Sequence, residues 1–234
     1  MQIAPGLYSM SQTAGGRVHA FLIDDGIDLT LIDTLYDDNA HVIFEELKTI
    51  GKQPIDIRRI LLTHSHKSHL GGLEAIAAAS NAAIYAHEAE IPIVQGERKA
   101  KPVGWRLPHP FNLEVYGLQT ALNLGVGSHQ PCIVQERLQD GMKVGPVECI
   151  GAPGHTSGCI AFWWPERKAL IAGDTVASWP VVDVGWPSFN LNQWQATRSV
   201  GKMSELPCEV LCVGHGEPIL HNAKGVLKKL SFRL

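Results

Sequence analysis

Apolar runs and turn residues alternate near the start of the chain and predict a β-hairpin followed by an amphipathic helix. The runs at residues 18–23 and 27–32 flank an Asp-Asp-Gly turn, and Asp-Gly between apolar runs is a strong hairpin signal. Asp37 or Asp38 would then cap a helix. Apolar residues follow at the i, i+3, i+4 and i+7 spacing of one helix face, at Ala40, Ile43, Phe44 and Leu47. The pattern indicates a helix lying on a sheet.

Further along the chain, predicted strands and helices alternate, which indicates an α/β fold. A strand, a helix and a strand are predicted at residues 57–62, 71–79 and 83–86. Residues 96–130 break this rhythm with scattered Pro, Gly and aromatic residues, so we expect a lid-like insertion with a helix near 113–124. Short strands joined by tight turns then predict a second, largely antiparallel sheet, at 133–138, 147–150, 159–164 and 169–172. A helix, a strand and a final helix follow at 192–206, 209–213 and from 222 onward. We find no repeat or linker, so we expect a single domain over residues 1–234.

Composition and charge narrow the class of protein. Apolar residues make up 45% of the chain and charged residues 18%, which is typical of a globular protein. The formal net charge is -3 with no long run of either sign, which argues against a nucleic-acid-binding face. No apolar stretch reaches membrane-spanning length and no export signal is evident, so we expect a cytoplasmic protein that binds no membrane. The five cysteines form no CxxC pair, so neither a disulfide framework nor a thiolate zinc site is indicated.

The first candidate metal ligands are three histidines directly after the strand predicted at 57–62. His64 and His66 are two residues apart, so in extended chain both imidazoles point to the same side and can converge on one ion. His69 follows where a helix would begin, and the glycines at 71 and 72 allow close backbone packing there. An HxH pair alone is weak evidence, because most histidines lie on the surface or are hydrogen-bonded in a core.

Three more turns strengthen the case for a metal site. His155, Asp174 and His215 each lie in a glycine-containing turn after an apolar strand, so the four turns point to one rim. Imidazole nitrogens and a carboxylate suit zinc, iron or manganese. The alternative is that these are unrelated turn residues. The remaining histidines lack such a context and we expect them to be ordinary, with His87 the least clear, at His19, His41, His87, His109, His129 and His221.

Together these residues resemble the metallo-β-lactamase superfamily, whose hallmark is HxHxDH followed by a distant His, an Asp and a final His. The match runs from the hairpin ending at Asp33 to His215, in the expected order. The resemblance implies a four-layer αβ/βα sandwich with mixed sheets and with two metals in the cleft at the sheet edges.

The resemblance also implies a role for each position. His64, His66 and His155 would bind the first metal, whereas His69 and His215 would bind the second. Asp174 would bridge the two metals. Asp33 matches the family's early acidic residue, which helps to hold the histidine loop, although it could simply cap the entry to a helix.

One position departs from the family pattern, because Ser68 occupies the acidic position of HxHxDH. The second ion would keep three protein ligands, the usual number for a catalytic zinc, so the change does not imply inactivity. We expect a tight first site and a weak or empty second one, with Lys67 adding repulsion. The candidate catalytic residues are Asp174, Ser68 and Tyr116, of which Tyr116 would supply a hydroxyl from the lid.

The function that we expect is hydrolysis of an ester, thioester, lactone or related acyl bond of a small-molecule substrate by metal-activated water. The cofactor would be zinc, as one or two ions, with iron or manganese as alternatives. Two other functions stay open. One is a mono-iron enzyme that resembles the persulfide dioxygenases, with iron held by His64, His155 and Asp174, and the other is a non-catalytic binding protein. The Trp-rich and Pro-rich segment 178–189 would line a substrate pocket, fill the core or form a homodimer interface.

Overall fold

A computed structural model describes residues 1–13, 17–100, 128–185 and 189–232, together with Leu113, Tyr116, Gly117 and Thr120. Within these residues seven strands form one mixed sheet and five form another. The first sheet contains β1 Gln2–Ala4, β2 Leu7–Thr13, β3 Arg17–Asp24, β4 Leu29–Ile32, β5 Ile57–Leu61, β6 Ala83–His87 and β7 Glu136–Leu138. The second contains β8 Lys143–Val144, β9 Val147–Gly151, β10 Ile160–Trp164, β11 Ala169–Ile171 and β12 Val210–Cys212.

Each sheet combines antiparallel and parallel pairing. In the first sheet the strands lie in chain order, antiparallel from β1 to β4 and parallel from β4 to β7. In the second sheet the order is β12-β11-β10-β9-β8, and the β11–β12 pair is the parallel one. The helices of the described chain are α1 His41–Thr49, α2 Lys67–Leu70, α3 Leu73–Ser80, α4 Ile91–Val94, α5 Gln193–Ser204 and α6 Ala223–Ser231.

Three groups of buried apolar residues define four layers. One group joins the outer face of the first sheet to α1 and α3, through residues such as Ile43 and Ile76. A second group lies between the two sheets and includes Phe21 and Phe162. A third joins the outer face of the second sheet to α5 and α6, through residues such as Val200. Because a strand presents alternate side chains to its two faces, each sheet contributes to two groups. The expected four-layer αβ/βα sandwich is confirmed.

Most predicted elements form close to their expected places. The hairpin is β3–β4, and its second strand begins at Leu29 because the Asp25 carboxylate accepts hydrogen bonds from the backbone N–H groups of Ile27 and Asp28. The N-cap residue of α1 is Ala40 and not Asp37 or Asp38 as predicted, but the Asp37 carboxylate does accept from the backbone N–H of His41, the first residue of α1.

Two expectations about strands need correction. The strand predicted at 133–138 is the shorter β7, and it belongs to the first sheet, where Tyr85 is paired with Glu136. The chain crosses to the second sheet only after the turn at Gly141. Strands β1 and β2 were not predicted, because β2 buries the polar Ser9 and so shows no clean apolar alternation.

The lid-like insertion predicted at 96–130 lies for the most part outside the described residues. Leu113, Tyr116, Gly117 and Thr120 have helical conformation, in agreement with the helix predicted near 113–124. The single-domain assignment stays a prediction. In the described parts of the chain, no helix combines the length and apolarity needed to cross a membrane.

The packing between the two sheets provides a test of the fold. Phe162 is fully buried there, so Phe162→Ala should leave a cavity and lower the free energy of unfolding by about 3–5 kcal/mol. Chemical denaturation would measure this change. Ile27→Ala is the control, because Ile27 is 89% exposed and its loss should change the free energy of unfolding by no more than about 0.5 kcal/mol. Equal effects of the two substitutions would contradict the layer assignment.

Candidate metal centre

Six side chains from both sheets meet where their strands end. His64 and His66 follow β5, and His69 lies in α2 directly beyond them. The other three come from the second sheet, in the turns after β9, β11 and β12, and are His155, Asp174 and His215. Five of the six are at least 95% buried, and His66 is partly buried. The structure thus brings together all six side chains that the sequence assigned to metal binding.

The first group consists of His64, His66, His155 and Asp174, each of which offers a ligand atom to a common point. His66 Nδ1 lies 3.2 Å from His64 Nε2 and 2.9 Å from His155 Nε2. Asp174 Oδ2 lies 3.7 Å from His64 Nε2 and 3.4 Å from His155 Nε2. Three imidazole nitrogens and one carboxylate oxygen could hold a single ion.

The second group consists of His69, Asp174 and His215. Asp174 Oδ1 lies 3.3 Å from His69 Nε2, and Asp174 Oδ2 lies 3.5 Å from His215 Nε2. Asp174 is therefore common to both groups, as expected for a residue that bridges two ions.

The donor atoms of this centre fit a cation. Within the described chain, His69 Nε2 and Asp174 Oδ1 are buried and have no hydrogen-bond partner of good geometry, although they face each other. A buried polar atom without a partner is costly, and a shared cation would satisfy both. Imidazole and carboxylate donors suit zinc, iron or manganese.

Several hydrogen bonds to the Nδ1 atoms fix the orientation of the imidazoles. Asp33 accepts from the backbone N–H and the hydroxyl of Thr63, at 2.8 and 2.7 Å, and lies 2.8 Å from His69 Nδ1. His64 Nδ1 lies 3.0 Å from Thr63 Oγ1, and His155 Nδ1 lies 3.1 Å from Asn190 Oδ1. Such contacts set which ring nitrogen faces a metal. Asp33 thus holds the histidine loop.

A family profile described as "Metallo-beta-lactamase superfamily" matches residues 13–215. The chain belongs to this superfamily. Among its relatives is the Probable metallo-hydrolase YflN of Bacillus subtilis (strain 168), 27% identical over 100% of this chain and 92% of that protein. A Hydroxyacylglutathione hydrolase of Enterobacter sp. (strain 638) is 28% identical over 87% of this chain and 62% of that protein. The protein TTHA1623, solved in a di-iron-bound form, has a TM-score of 0.68 at 21% identity over 97% of this chain and 100% of that one.

Within this superfamily fold, the position that departs from the motif lies beside the second group. Ser68 lies in α2 and is partly buried, and its hydroxyl makes no hydrogen bond to the described residues. Lys67 is buried, and its ammonium group donates to Asp38 and lies 5.5 Å from the centre of the Tyr36 ring. The carboxylate of Asp38 offsets the repulsion that the sequence led us to expect from Lys67.

The third candidate catalytic residue, Tyr116, lies in the insertion. Its carbonyl accepts a hydrogen bond from the Thr120 hydroxyl at 2.9 Å, which is a contact within a helix. The neighbouring positions 114–115 and 118–119 lie outside the described residues. A catalytic role for the Tyr116 hydroxyl therefore stays a prediction.

Sequence reasoning missed two residues that touch the histidine loops. Asn190 orients His155, and the buried Glu90 accepts hydrogen bonds from Ser65 and from Gly158. Neither stands in a glycine-containing turn of the kind that carries the other candidate ligands, so only their polarity beside apolar positions could have drawn attention to them.

Burial and neighbouring charges divide the imidazoles into neutral and charged ones. Burial lowers the pKa of His64 well below its usual value and lowers the pKa of His155 to about 3, so both are neutral at pH 7. Burial would also lower the pKa of His69, but the carboxylates of Asp174 and Asp33 outweigh it and raise the pKa to about 10. Burial likewise opposes ionisation of Asp174, but His215 and His69 hold the pKa of Asp174 well below its usual value. Without metal, a protonated His69 thus faces an ionised Asp174.

These protonation states predict how metal binding depends on pH. An ion at the second group must displace the proton of His69, so at pH 7 its binding should release about one proton and weaken about tenfold per pH unit of acidification. Binding at the first group should require no proton loss from His64 or His155. Calorimetric titration with zinc in two buffers of different ionisation enthalpy would count the protons. His69→Ala should abolish the release at the second group, and an unchanged release in this variant would contradict the assignment.

Proposed function

We propose that this chain is a metal-dependent hydrolase that cleaves an ester, thioester, lactone or related acyl bond. The observation that carries the proposal is the pair of donor groups that share Asp174, buried at the meeting edge of two sheets. Membership of the superfamily supports it, as do relatives named as a metallo-hydrolase and as hydroxyacylglutathione hydrolases.

The residues present suit metal-assisted hydrolysis. A bound divalent ion supplies a water of lowered pKa and polarises a carbonyl. The chain's own residues prepare the site: burial excludes bulk water, and hydrogen bonds between the imidazole Nδ1 atoms and Thr63, Asp33 and Asn190 keep the imidazoles oriented. The low pKa of Asp174 suits a residue that holds negative charge at the centre. Asp174 is therefore a poor proton donor to a leaving group, a role that we leave to Tyr116 or to solvent.

A cleft beside His66 offers a place for the acyl compound. Ala89, Ile93 and Leu191 give it apolar walls, and Arg98 and Lys99 lie at its exposed end. Pockets for small molecules combine apolar walls with a few polar groups in this way. We propose a small-molecule substrate whose reactive carbonyl lies toward His66.

The metal distinguishes the proposal from its alternative. We propose one or two zinc ions, with iron or manganese as the other candidates for this donor set. The alternative mono-iron enzyme would use His64, His155 and Asp174, and the two Nε2 atoms of this triad do lie within 3.7 Å of Asp174 Oδ2. Retention of six donors in one place favours a metalloenzyme over a non-catalytic binding protein.

Loss of one donor from the first group should abolish turnover. The experiment compares hydrolysis of a panel of esters, thioesters and lactones by protein loaded with zinc, manganese or iron, and by the variant His155→Ala. Removal of the His155 imidazole should reduce kcat/KM at least about a hundredfold. His41→Ala is the matched control, because His41 is exposed and lies on α1 away from the centre.

Three outcomes are decisive for this experiment. Hydrolysis that is lost in His155→Ala and kept in His41→Ala supports the proposal. Oxygen consumption with a persulfide by the iron form, without hydrolysis by any form, favours the alternative enzyme. Failure of every substrate class despite full metal loading would contradict the proposal.

Ser68 gives a second test of the centre. Ser68→Asp should raise occupancy of the second group, because a carboxylate adds charge and a further oxygen donor beside three protein ligands. Elemental analysis after mild chelation would measure the metal retained per chain. Ser68→Ala controls for loss of the hydroxyl: unchanged activity would exclude a catalytic role of Ser68, and two full equivalents in the unaltered protein would contradict a weak second group.

A further inference from the structure

The first donor group depends on two loops that come from different sheets. The loop after β5 carries His64 and His66, and the loop after β9 carries His155. A backbone hydrogen bond of 2.9 Å from Ile160 to the carbonyl of Thr63 links the bases of these loops. Farther out along the two loops, His66 Nδ1 comes to 2.9 Å from His155 Nε2.

Glu90 joins the two loops at that outer level, with one carboxylate oxygen for each. Its Oε2 accepts from the backbone N–H of Ser65 at 3.1 Å and from the Ser65 hydroxyl. Its Oε1 accepts from the backbone N–H of Gly158 at 2.9 Å. Ser65 lies between His64 and His66, and Gly158 lies three residues after His155. The carboxylate thus bridges directly between the two ligand-bearing segments.

Glu90 is well placed to act as a rigid brace. It is 2% exposed and directly precedes α4; its N–H donates to the carbonyl of His87 and its own carbonyl accepts from the N–H of Ile93, both at 2.9 Å. Burial of a carboxylate is costly unless several donors compensate it. Three donors from the two loops do so, and no ion pair to a described residue competes for its oxygens. Glu90 also lines the cleft beside His66, but both of its oxygens are engaged by the two loops.

The partner at the far end of this brace is a glycine for a physical reason. A Cβ atom at Gly158 would lie 2.7 Å from Glu90 Oε1 and 2.8 Å from both Glu90 Cγ and His87 Nδ1. These separations are shorter than van der Waals contact, so a side chain at Gly158 would displace the carboxylate. The lack of space for a Cβ atom at Gly158 thus shows, in addition to the hydrogen bond, how closely the Glu90 side chain approaches the His155 loop.

We propose that Glu90 is a positioning residue of the first donor group, which fixes the distance between the His64–His66 loop and the His155 loop. The inference rests on the proposed metal-dependent function, because it concerns how the metal site is built. It predicts that loss of the carboxylate weakens the first group selectively and leaves the second, which Asp33 orients, intact.

Stepwise zinc titration against a competing chelator tests this role in the full-length chain. The first binding event is assigned to the first group with the variant His215→Ala, which removes one of three donors of the second group. Glu90→Ala should lower affinity at the first group about 10–100-fold, the usual effect of losing a partner that orients metal ligands. Affinity at the second group should not change. Glu90→Gln should recover part of the loss, because its amide oxygen still serves one loop.

Glu88→Ala is the matched control, since Glu88 is exposed and precedes Glu90 by two residues. It should bind zinc as the unaltered chain does. Gly158→Ala disturbs the same contact from the side of the His155 loop, and it should also lower zinc affinity at the first group only. This variant therefore provides the test if Glu90→Ala does not fold. Thermal unfolding of each metal-free variant separates the two explanations, because a merely structural role would lower stability and weaken both groups by the same factor.

The outcomes distinguish the two proposals. Equal weakening of both groups, or unchanged affinity at the first group in a folded Glu90→Ala or Gly158→Ala protein, overturns the role of Glu90 and leaves the metal-dependent function standing. A chain that binds no metal in any form contradicts the proposed function, and the role of Glu90 falls with it.

Discussion

The buried carboxylate of Asp174 is the interaction on which the centre depends. Four imidazole nitrogens lie within 3.7 Å of its oxygens, and nearly all of the site is removed from water. A buried carboxylate with this many nitrogen neighbours is stable only if a positive charge accompanies it. In the metal-free state the proton of His69 supplies that charge, and its raised pKa records how strongly the carboxylates attract it. That protonated form stabilises the metal-free fold below the usual imidazole pKa of 6.5, and the contribution is lost as the pH rises through about 10.

The fold serves this interaction by placing strand ends from two sheets opposite each other. The apolar layer between the sheets, which includes the fully buried Phe162, sets their separation, and the turns at its edge carry the donors. Two more buried carboxylates then fix the turns: Asp33 within the first histidine loop, and Glu90 between that loop and the one that carries His155. Asp33 has a φ of 60°, a conformation that costs energy for any residue other than glycine, and its three hydrogen bonds help to offset that cost.

The candidate metal ligands could be predicted from the sequence because ligand-type residues recur in short, similar turns. His64, His66 and His69 share one turn, and His155, Asp174 and His215 each follow an apolar strand, so both the pattern and the order of the donors could be read directly. Glu90 could not be found in this way, because nothing in the sequence distinguishes it from the exposed Glu88 or shows that it will be buried against Ser65 and Gly158, which are far from it in sequence. The same limit explains the strand β7, because the sheet that it joins is decided by the pairing of Glu136 with Tyr85, a long-range contact. Lys67 likewise looked like a source of repulsion until the structure placed Asp38 beside it.

The central claim is that the six side chains surround a common metal centre, and anomalous X-ray scattering tests it most directly. Crystals of the protein equilibrated with zinc would be measured on both sides of the zinc absorption edge. We predict an anomalous peak bounded by His64, His66, His155 and Asp174, with a weaker or absent second peak bounded by His69, Asp174 and His215. A crystal in which the strongest peak lies elsewhere, or in which these side chains coordinate no metal, would contradict the account.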